Sequence, residues 1–320
     1  MKLNEFLSSD ELRQDEIQDP GLGSKYQEGS KRLMNKDGSF NVVKTGIRGN
    51  LRDTYQTLIA MSWARFLVLS LVFIFLLNLA FALVYVAIGV EYLEGDREGG
   101  FLQNLSQAFF FSFQTFTTVG YGHISPVGKL INFVAVFEAS TGLMVFAIIT
   151  GLLYGRFSRP SMRLLYSDKA LIGPYKDGWA FMFRIVNLRK NLLLETSATV
   201  AMTVHHKEGD EYKRRYYRLD LEISKIDFFA ANWTLVHPID KSSPFNQLDL
   251  NNLNNSDFEI IVQIKAFDNS FGQHVHSRNS YKQDELVVGA KFKPATRLDK
   301  DGEVILPIDE FHDYELVPFP

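Results

Sequence analysis

Apolar residues are concentrated in one part of the chain, between Trp63 and Gly155. Inside it, residues 66–90 carry no charged side chain, and residues 130–155 carry Glu138 as their only charge. Each run is long enough to cross a ~30 Å hydrocarbon core as a helix. The pattern therefore predicts two membrane spans, set between stretches that have the mixed polarity of soluble protein.

Two further helices are predicted beside the spans. Residues 105–117 are rich in phenylalanine but too short to cross a membrane, which favours a re-entrant pore helix whose negative dipole end faces a cation. Before the first span, Tyr55, Leu58 and Ile59 recur at helical spacing ahead of Trp63. This predicts an amphipathic helix on the membrane surface. The alternative is that these residues form the first turns of the span itself.

The chemistry of the chain centres on a short stretch between the spans. It consists of Thr118, Val119, Gly120, Tyr121 and Gly122. In a TVGYG loop, backbone carbonyls replace the hydration shell of a potassium ion. The two glycines allow φ values that other residues avoid, so that successive carbonyls can face one axis. These five residues are predicted to form a selectivity filter with K⁺ as its permeant ion.

One copy of such a loop cannot enclose an ion, whereas four copies around an axis can. The motif therefore predicts a homotetramer. The alternative is a glycine-rich turn in a soluble domain, because a five-residue match has a real false-positive risk. The two flanking runs of membrane length argue against that alternative.

Most of the basic residues near the spans lie on one side of them. They precede the first span and follow the second, at Arg48, Arg52, Arg65, Arg156, Arg159, Arg163 and Lys169. The outer segments between the spans are mostly acidic. The positive-inside rule predicts a multi-pass protein of the cell (inner) membrane with both termini in the cytoplasm. No span carries arginine at every third position, so a voltage sensor is not indicated.

From about Tyr166 the pattern changes to short apolar runs separated by turn residues. Residues 180–186, 198–204 and 258–264 are typical of strands. They predict an antiparallel, all-β sandwich of Ig-like type. The predicted domains are a cytoplasmic N-terminal segment with a short strand, an interfacial slide helix, a pore domain and the β-sandwich domain, with bounds 1–47, 48–62, 63–157 and 158–320.

The composition of the chain argues against several other classes of function. The chain has 320 residues, a net charge of −3 and no cysteine, which argues against nucleic-acid binding, disulfides and thiolate metal sites. No glycine-rich nucleotide fingerprint is present. The pairs His205–His206 and His274–His276 leave a metal site as a weak alternative, since no acid or cysteine cluster completes one. We predict a channel without a cofactor, and not an enzyme.

Several motifs outside the filter carry a wider resemblance. Their order and spacing agree at residues 35–38 (NKDG), 151–160, 187–190 (NLRK), 233–237 (WTLVH), 243–244 (SP), 278–281 (RNSY) and 289–292 (GAKF). With the filter, they make the chain resemble inward-rectifier potassium channels, most closely the prokaryotic KirBac branch, over about residues 31–292. The resemblance implies two membrane helices, a pore helix and a cytoplasmic Ig-like domain that extends the pore.

The resemblance also implies roles near the inner end of the second span. The family's gate falls on Tyr154, where four side chains can close a hydrophobic constriction. Gly142 and Gly151 are hinge candidates, although glycine also serves close packing. Phe146 occupies the cavity position where strong rectifiers carry an acid. Its lack of charge predicts only weak block by Mg²⁺ or polyamines.

Filter support is assigned to Glu138 and Gln114. An intramembrane carboxylate is a functional candidate by default, and Glu138 lies early in its span, level with the filter. A role in bracing the back of the filter is therefore favoured for it. Gln114 stands where eukaryotic members carry a glutamate paired with an arginine, and Ile124 stands at that arginine's position. The eukaryotic ion pair is therefore absent.

The family's lipid site is a basic cluster below the inner helix. Here it falls on Arg48, Arg52, Arg159, Arg163 and Lys169, and such residues attract anionic headgroups by about 1 kcal/mol each. The same charges also serve orientation in the membrane. Phosphoinositide opens eukaryotic members and inhibits KirBac channels. The sequence leaves the sign open, and the closer likeness to KirBac favours inhibition.

Three rival functions are weighed against this hypothesis. A calcium- or nucleotide-gated two-helix channel would need a regulatory dinucleotide fold, whose fingerprint is missing. A membrane-tethered β-sandwich with a degenerate pore is disfavoured by the intact filter. An active transporter is disfavoured because two spans offer no inverted repeat.

Overall fold

The computed structural model describes most of the chain. The described residues are 16–23, 25–26, 32–43, 45–46, 51–95, 99–208, 211–248 and 257–318. They contain four α-helices: α1 (Leu51–Ala60), α2 (Trp63–Ile88), α3 (Phe101–Phe116) and α4 (Lys129–Phe157).

The strands are mostly C-terminal to the helices. They are β1 (Glu16–Ile17), β2 (Lys25–Tyr26), β3 (Leu93–Glu94), β4 (Ser125–Pro126), β5 (Leu164–Tyr166), β6 (Ala170–Tyr175), β7 (Gly178–Asn187), β8 (Leu193–Glu208), β9 (Glu211–Arg218), β10 (Lys225–Phe229), β11 (Asn232–Pro238), β12 (Phe258–Asp268), β13 (Gln273–Lys282), β14 (Leu286–Val288), β15 (Ala290–Phe292), β16 (Arg297–Leu298), β17 (Val304–Ile305) and β18 (Tyr314–Leu316).

The chain divides into two compact units. The helical unit comprises Gly46–Arg159, and the β unit comprises Met1–Thr45 together with Pro160–Pro320. This division near residue 159 lies close to the predicted boundary at residue 157. The predicted boundary between residues 47 and 48 lies outside the described residues.

Both predicted spans are present in the helical unit. At ~1.5 Å per residue, the 26 residues of α2 and the 29 of α4 extend about 39 Å and 43 Å, enough to cross a membrane. Only 11% of the apolar window of α2 and 22% of that of α4 are buried. A core helix of a soluble protein would be mostly buried, so these helices have the exposure expected of membrane spans.

The short helix α3 packs against both spans. Its buried residues Ala108 and Phe111 join Ala82 and Tyr85 of α2 and Ala135 of α4 in one apolar cluster. The helix begins at Phe101, four residues before the sequence-based start. Its first turn combines the exposed Phe101 and Leu102 with Gln103 and Asn104, and the buried residues of the helix begin only at Ala108.

A break at Met61 and Ser62 separates α1 from α2. α1 and α2 are thus two separate helices, and the position of α1 on the membrane surface stays a prediction. The span α2 begins at Trp63 and includes Arg65, because a charge in the first turn stays near the membrane edge.

The β unit is built on two sheets. The larger has seven strands in the order β1-β9-β8-β12-β13, with β10 paired to β8 and β2 to β9. The second has five strands in the order β11-β7-β6-β14, with β5 paired to β7. Nearly all pairs are antiparallel, and the β6–β14 pair is parallel. The predicted Ig-like sandwich is confirmed as a two-sheet β domain.

Alternating side chains from the two sheets form one core. Phe181, Phe183 and Ile185 of β7 meet Met202 of β8 and Ile260 of β12, and all five are buried. In β11 the burial alternates residue by residue, which is the period of a strand with one face on a core. The three runs predicted as strands, residues 180–186, 198–204 and 258–264, lie in β7, β8 and β12, and they are recognisable in the sequence as apolar runs between turn residues.

The N-terminal segment is held to the β unit more firmly than its polar composition suggests. Strands β1 and β2 both pair with β9. The Glu259 carboxylate accepts hydrogen bonds from the backbone N–H groups of Leu33 (2.7 Å) and Met34 (3.0 Å). Residues 1–15, 24 and 27–31 lie outside the described residues.

Candidate ion-conduction site

The loop that follows α3 has an alternating backbone. Thr118, Gly120 and Gly122 have φ angles of 55°, 56° and 75°, whereas Val119 and Tyr121 are not in the positive region. Such alternation is a backbone pattern that lets successive carbonyls face one side, as an ion site made of carbonyls requires. A positive φ is unusual for a β-branched residue such as Thr118, so strain is concentrated at this loop.

The end of α3 holds the inner part of this filter loop. The backbone N–H groups of Val119 and Gly120 both donate to the carbonyl of Gln114, at 2.9 and 3.3 Å. The N–H of Thr118 donates to the carbonyl of Thr115 at 3.1 Å. Carbonyls that α3 leaves without helical partners therefore fix the loop to the helix end. Gln114 is itself buried, as a supporting position requires.

The outer part of the loop is braced by the strand pair β3–β4. Leu93 pairs with Pro126, and the N–H of Val127 donates to the carbonyl of Tyr92 at 2.8 Å. A side chain at Gly95 would collide with the carbonyl of His123, so the chain can approach this closely only at glycine. The filter loop is thus held at both ends by backbone contacts.

Glu138 lies at the centre of a buried polar cluster behind the filter loop. The Tyr85 hydroxyl donates to its Oε2 at 2.5 Å, and the Ser112 hydroxyl donates to its Oε1. Ser112 Oγ also lies 3.1 Å from two oxygens of Asn78, the side-chain Oδ1 and the backbone carbonyl oxygen. The cluster therefore ties α2, α3 and α4 together around one carboxyl group.

Sequence reasoning singled out Glu138 but missed its two hydrogen-bond donors, Tyr85 and Ser112, and also Asn78, which accepts from Ser112. Asn78 and Tyr85 are polar positions seven residues apart in α2, which places them on one helical face. Polar groups in a span generally face the protein interior, and this signal could have found them.

The inner-helix candidates differ in their surroundings within the protomer. A Cβ on Gly142 would collide with the carbonyl of Phe116, so α4 packs directly on the end of α3 there. A Cβ on Gly151 would meet nothing within 4 Å. Phe146 and Tyr154 are 72% and 74% exposed. Their roles as hinges, cavity residue and gate stay predictions.

The basic lipid-site candidates lie in both units. Arg48 lies outside the described residues, and so does the side chain of Arg52. Arg159 ends the helical unit with an exposed side chain, whereas Arg163 and Lys169 belong to the β unit. The ammonium group of Lys169 donates to the carbonyl of Asp284 at 2.8 Å.

The histidine pairs do not assemble into a larger cluster. His205 Nδ1 lies 2.8 Å from the Asp257 carboxylate. Burial, followed by the charges of Lys265 and Arg278, lowers the pKa of His276. In the described parts of the chain, no three side chains of metal-binding type come together.

Two known families match the chain from residue 61 onward. The family described as "Ion channel" matches residues 61–159, and the family described as "Inward rectifier potassium channel C-terminal domain" matches residues 164–320. The first match contains α2 to α4 with the loop between α3 and α4, and the second contains β5 to β18. Both describe channels, and neither describes an enzyme.

Individual relatives agree with these matches. The inward rectifier potassium channel Kirbac3.1 of Paramagnetospirillum magnetotacticum is 34% identical over 286 residues, covering 88% of this chain and 95% of that protein. The G protein-activated inward rectifier potassium channel 3 of Mus musculus is 29% identical, covering 91% of this chain and 79% of that protein. The ATP-sensitive inward rectifier potassium channel 15 of Rattus norvegicus is 27% identical, covering 90% and 76%. The chain therefore belongs to the inward rectifier potassium channel family, and it is of the KirBac type.

Proposed function

We propose that four copies of the chain form a potassium-selective channel in the cell (inner) membrane, with passive conduction through the carbonyls of residues 118–122. The observation that carries this proposal is the alternating φ along the filter loop, which ends at two positive-φ glycines. A Cβ on Gly120 or Gly122 would meet nothing within 4 Å in the protomer. That open side is where three further copies complete the ion site.

The inner end of α4 is the proposed gate. Tyr154 is largely exposed in one protomer, so four copies can meet at the axis and exclude water. Above it, Phe146 gives the cavity an aromatic ring and no fixed negative charge. Block by Mg²⁺ or polyamines is therefore weak, because a multivalent cation finds no carboxylate at this position. Gly151 has room for bending, while Gly142 keeps α4 packed against α3.

Anionic lipid is the proposed modulator, with phosphoinositide acting as an inhibitor. Basic side chains follow α4 at Arg159, Arg163 and Lys169; Arg52 is the second residue of α1, and Arg48 precedes it by four positions in the sequence. This clustering on one side of the spans also supports cytoplasmic termini. Membership of a family of tetrameric, lipid-regulated channels supports both parts of the proposal.

The decisive experiment is ion uptake into liposomes that contain the purified full-length protein. We expect Rb⁺ or K⁺ uptake, little Na⁺ uptake, and lower uptake when phosphoinositide is added. Uptake of Na⁺ equal to that of K⁺ would contradict a carbonyl filter. Uptake raised by phosphoinositide would reverse the proposed sign of lipid regulation and leave the filter proposal intact.

A matched pair of glycine variants locates the effect in the filter. Gly120→Ala places a side chain at φ 56°, and Gly302→Ala places one at φ 84° in the β unit, where a Cβ would also meet nothing within 4 Å. Both carry a conformational cost of about 1 kcal/mol. We expect Gly120→Ala to reduce K⁺ uptake to the level of empty liposomes and Gly302→Ala to leave it unchanged. An active Gly120→Ala channel would overturn the filter assignment.

A further inference from the structure

The last turn of α4 contains an arginine whose charged side chain is buried and hydrogen-bonded within the protein. Arg156 lies two residues after Tyr154, and its side chain is only 9% exposed. Its Nη1 donates to the carbonyls of Leu58 (2.6 Å) and Ile59 (3.0 Å), and its Nη2 donates to that of Met61 (2.7 Å). All three acceptors lie at the C-terminal end of α1 or in the break that follows it.

Aromatic rings enclose the same guanidinium group. Its central carbon lies 4.7 Å from the ring centroid of Trp63 and 4.7 Å from that of Phe66, both in the first turn of α2. The Trp63 ring also lies 4.8 Å from the Phe157 ring, centroid to centroid. A cation this close to aromatic rings is stabilised by the negative faces of the rings, and arginine makes such contacts more often than lysine does. The side chain therefore joins the end of α1, the start of α2 and the end of α4.

The end of a helix is a natural partner for such a cation. Its last carbonyls lack intrahelical donors and carry a partial negative charge. With ten residues, α1 is too short to be stable alone in water, so it depends on contacts of this type. Gly155 adds to the contact, since a Cβ there would lie 3.1 Å from Ile59 Cδ1 and 3.3 Å from the Tyr55 hydroxyl.

We propose that Arg156 is a positioning residue that makes α1 and the gate-bearing end of α4 move as one piece. The inference rests on the proposed gate at Tyr154. When α4 bends or rotates, three charge-assisted hydrogen bonds carry α1 with it, and a displacement of α1 at the membrane surface reaches the gate by the same bonds. Arg156 thus differs from Arg159, whose exposed side chain is free to meet lipid headgroups.

A thiol bridge can replace the arginine and so test its role. The chain has no native cysteine, so Ile59→Cys with Gly155→Cys supplies one defined pair per protomer. We would compare this pair alone and combined with Arg156→Gln, Arg156→Lys or Arg159→Gln. K⁺ uptake would be measured in phosphatidylcholine–phosphatidylglycerol liposomes, before and after a short bifunctional thiosulfonate and after its removal by reductant.

We expect Arg156→Gln to change the rate of K⁺ uptake by a factor of about five or more, which is the lower end of common coupling effects between two sites. The selectivity for K⁺ over Na⁺ should stay unchanged. The bridge should restore uptake, and reductant should abolish the restoration. Arg156→Lys should be intermediate, because lysine retains the charge without the planar fork. Arg159→Gln removes the same charge one turn later, and the bridge should not alter its effect.

Three results would overturn the inference. These are unchanged uptake in Arg156→Gln, a bridge that forms without restoring uptake, and an equal, bridge-insensitive effect of Arg156→Gln and Arg159→Gln. If the parent channel carries no K⁺ at all, the proposed function fails, and the rate of bridge formation then decides the positioning role. A slower rate in Arg156→Gln supports that role, and an equal rate contradicts it.

Discussion

In the helical unit most apolar side chains lie on the surface of the protomer, whereas in the β unit they lie inside it. Of the apolar window of α2, 11% is buried, but eight of the ten residues of β7 are buried. Both units bury some polar groups, for example Glu138 and Asn78 in the helical unit and Asp268 and Ser280 in the β unit. The two regions therefore differ in where their apolar side chains lie.

The difference shows which unit can bury its apolar surface within a single chain. The β unit has a continuous core of its own, so its stability comes from apolar burial within one chain. The helices satisfy their backbone internally, as a membrane demands, but leave broad apolar faces to lipid or to neighbouring copies. One protomer thus holds a complete β domain and an incomplete pore.

The largest effect is expected when the truncation of a buried phenylalanine is compared with that of an exposed one. Phe181 in β7 is 0% exposed and Phe133 in α4 is 73% exposed in the protomer. We expect Phe181→Ala to cost the β unit about 3–5 kcal/mol of unfolding free energy, because it leaves a cavity. Phe133→Ala should leave that value unchanged and lower the fraction of tetramer in detergent, measured by light scattering. A Phe181→Ala protein as stable as wild type would contradict the contrast.

An intermediate effect is expected at the polar centre of the helical unit. Glu138→Leu removes the acceptor of the Tyr85 hydroxyl, while the Ser112 hydroxyl can still donate to the two oxygens of Asn78. A buried hydroxyl without a partner costs about 1–3 kcal/mol, so the thermal midpoint in micelles should fall. Glu138→Gln retains an acceptor and should cost less. The exposed Glu94→Gln serves as the control, and equal midpoints for Leu and Gln at position 138 would refute the role of the hydrogen bond.

The smallest effect concerns the attachment of the N-terminal segment in acid. Burial raises the pKa of the Glu285 carboxyl, but hydrogen bonds from Arg32, the Lys282 N–H and Lys36 outweigh it and hold the pKa below its usual value. The attachment is therefore complete above the ordinary pKa of 4.5 and weakens as the pH falls through the lower pKa of the folded state.

A fluorophore on Ser39→Cys reports this attachment through its anisotropy. We expect the anisotropy to fall only below about pH 4.5, and to be low already at pH 7 in Glu285→Gln, which loses bonds of about 1–2 kcal/mol. Glu310→Gln breaks an exposed ion pair with Arg297 and is the matched control. An anisotropy that is independent of pH in the parent would contradict the prediction.

Much of the fold and of the site could be predicted because it is written in local patterns. The spans followed from long runs of apolar residues, and the strands near residues 180–186 and 258–264 followed from short apolar runs bounded by turn residues. The filter loop was predicted from the five-residue TVGYG motif at residues 118–122. In contrast, the start of α3 at Phe101 and the pairing of β1 with β9 carry no local signal, since packing and pairing with distant residues decide them.

The sequence by itself determined the kind of protein: two spans, a TVGYG loop between them and a β domain after them. Length, periodicity and residue type suffice for these features, because each depends on neighbours in the chain. Only the tertiary structure decided that Tyr85, Ser112 and Asn78 surround Glu138, and that Arg156 binds the end of α1. Those contacts join residues 26 to 98 positions apart, and the folded backbone alone brings their polar atoms within hydrogen-bonding distance.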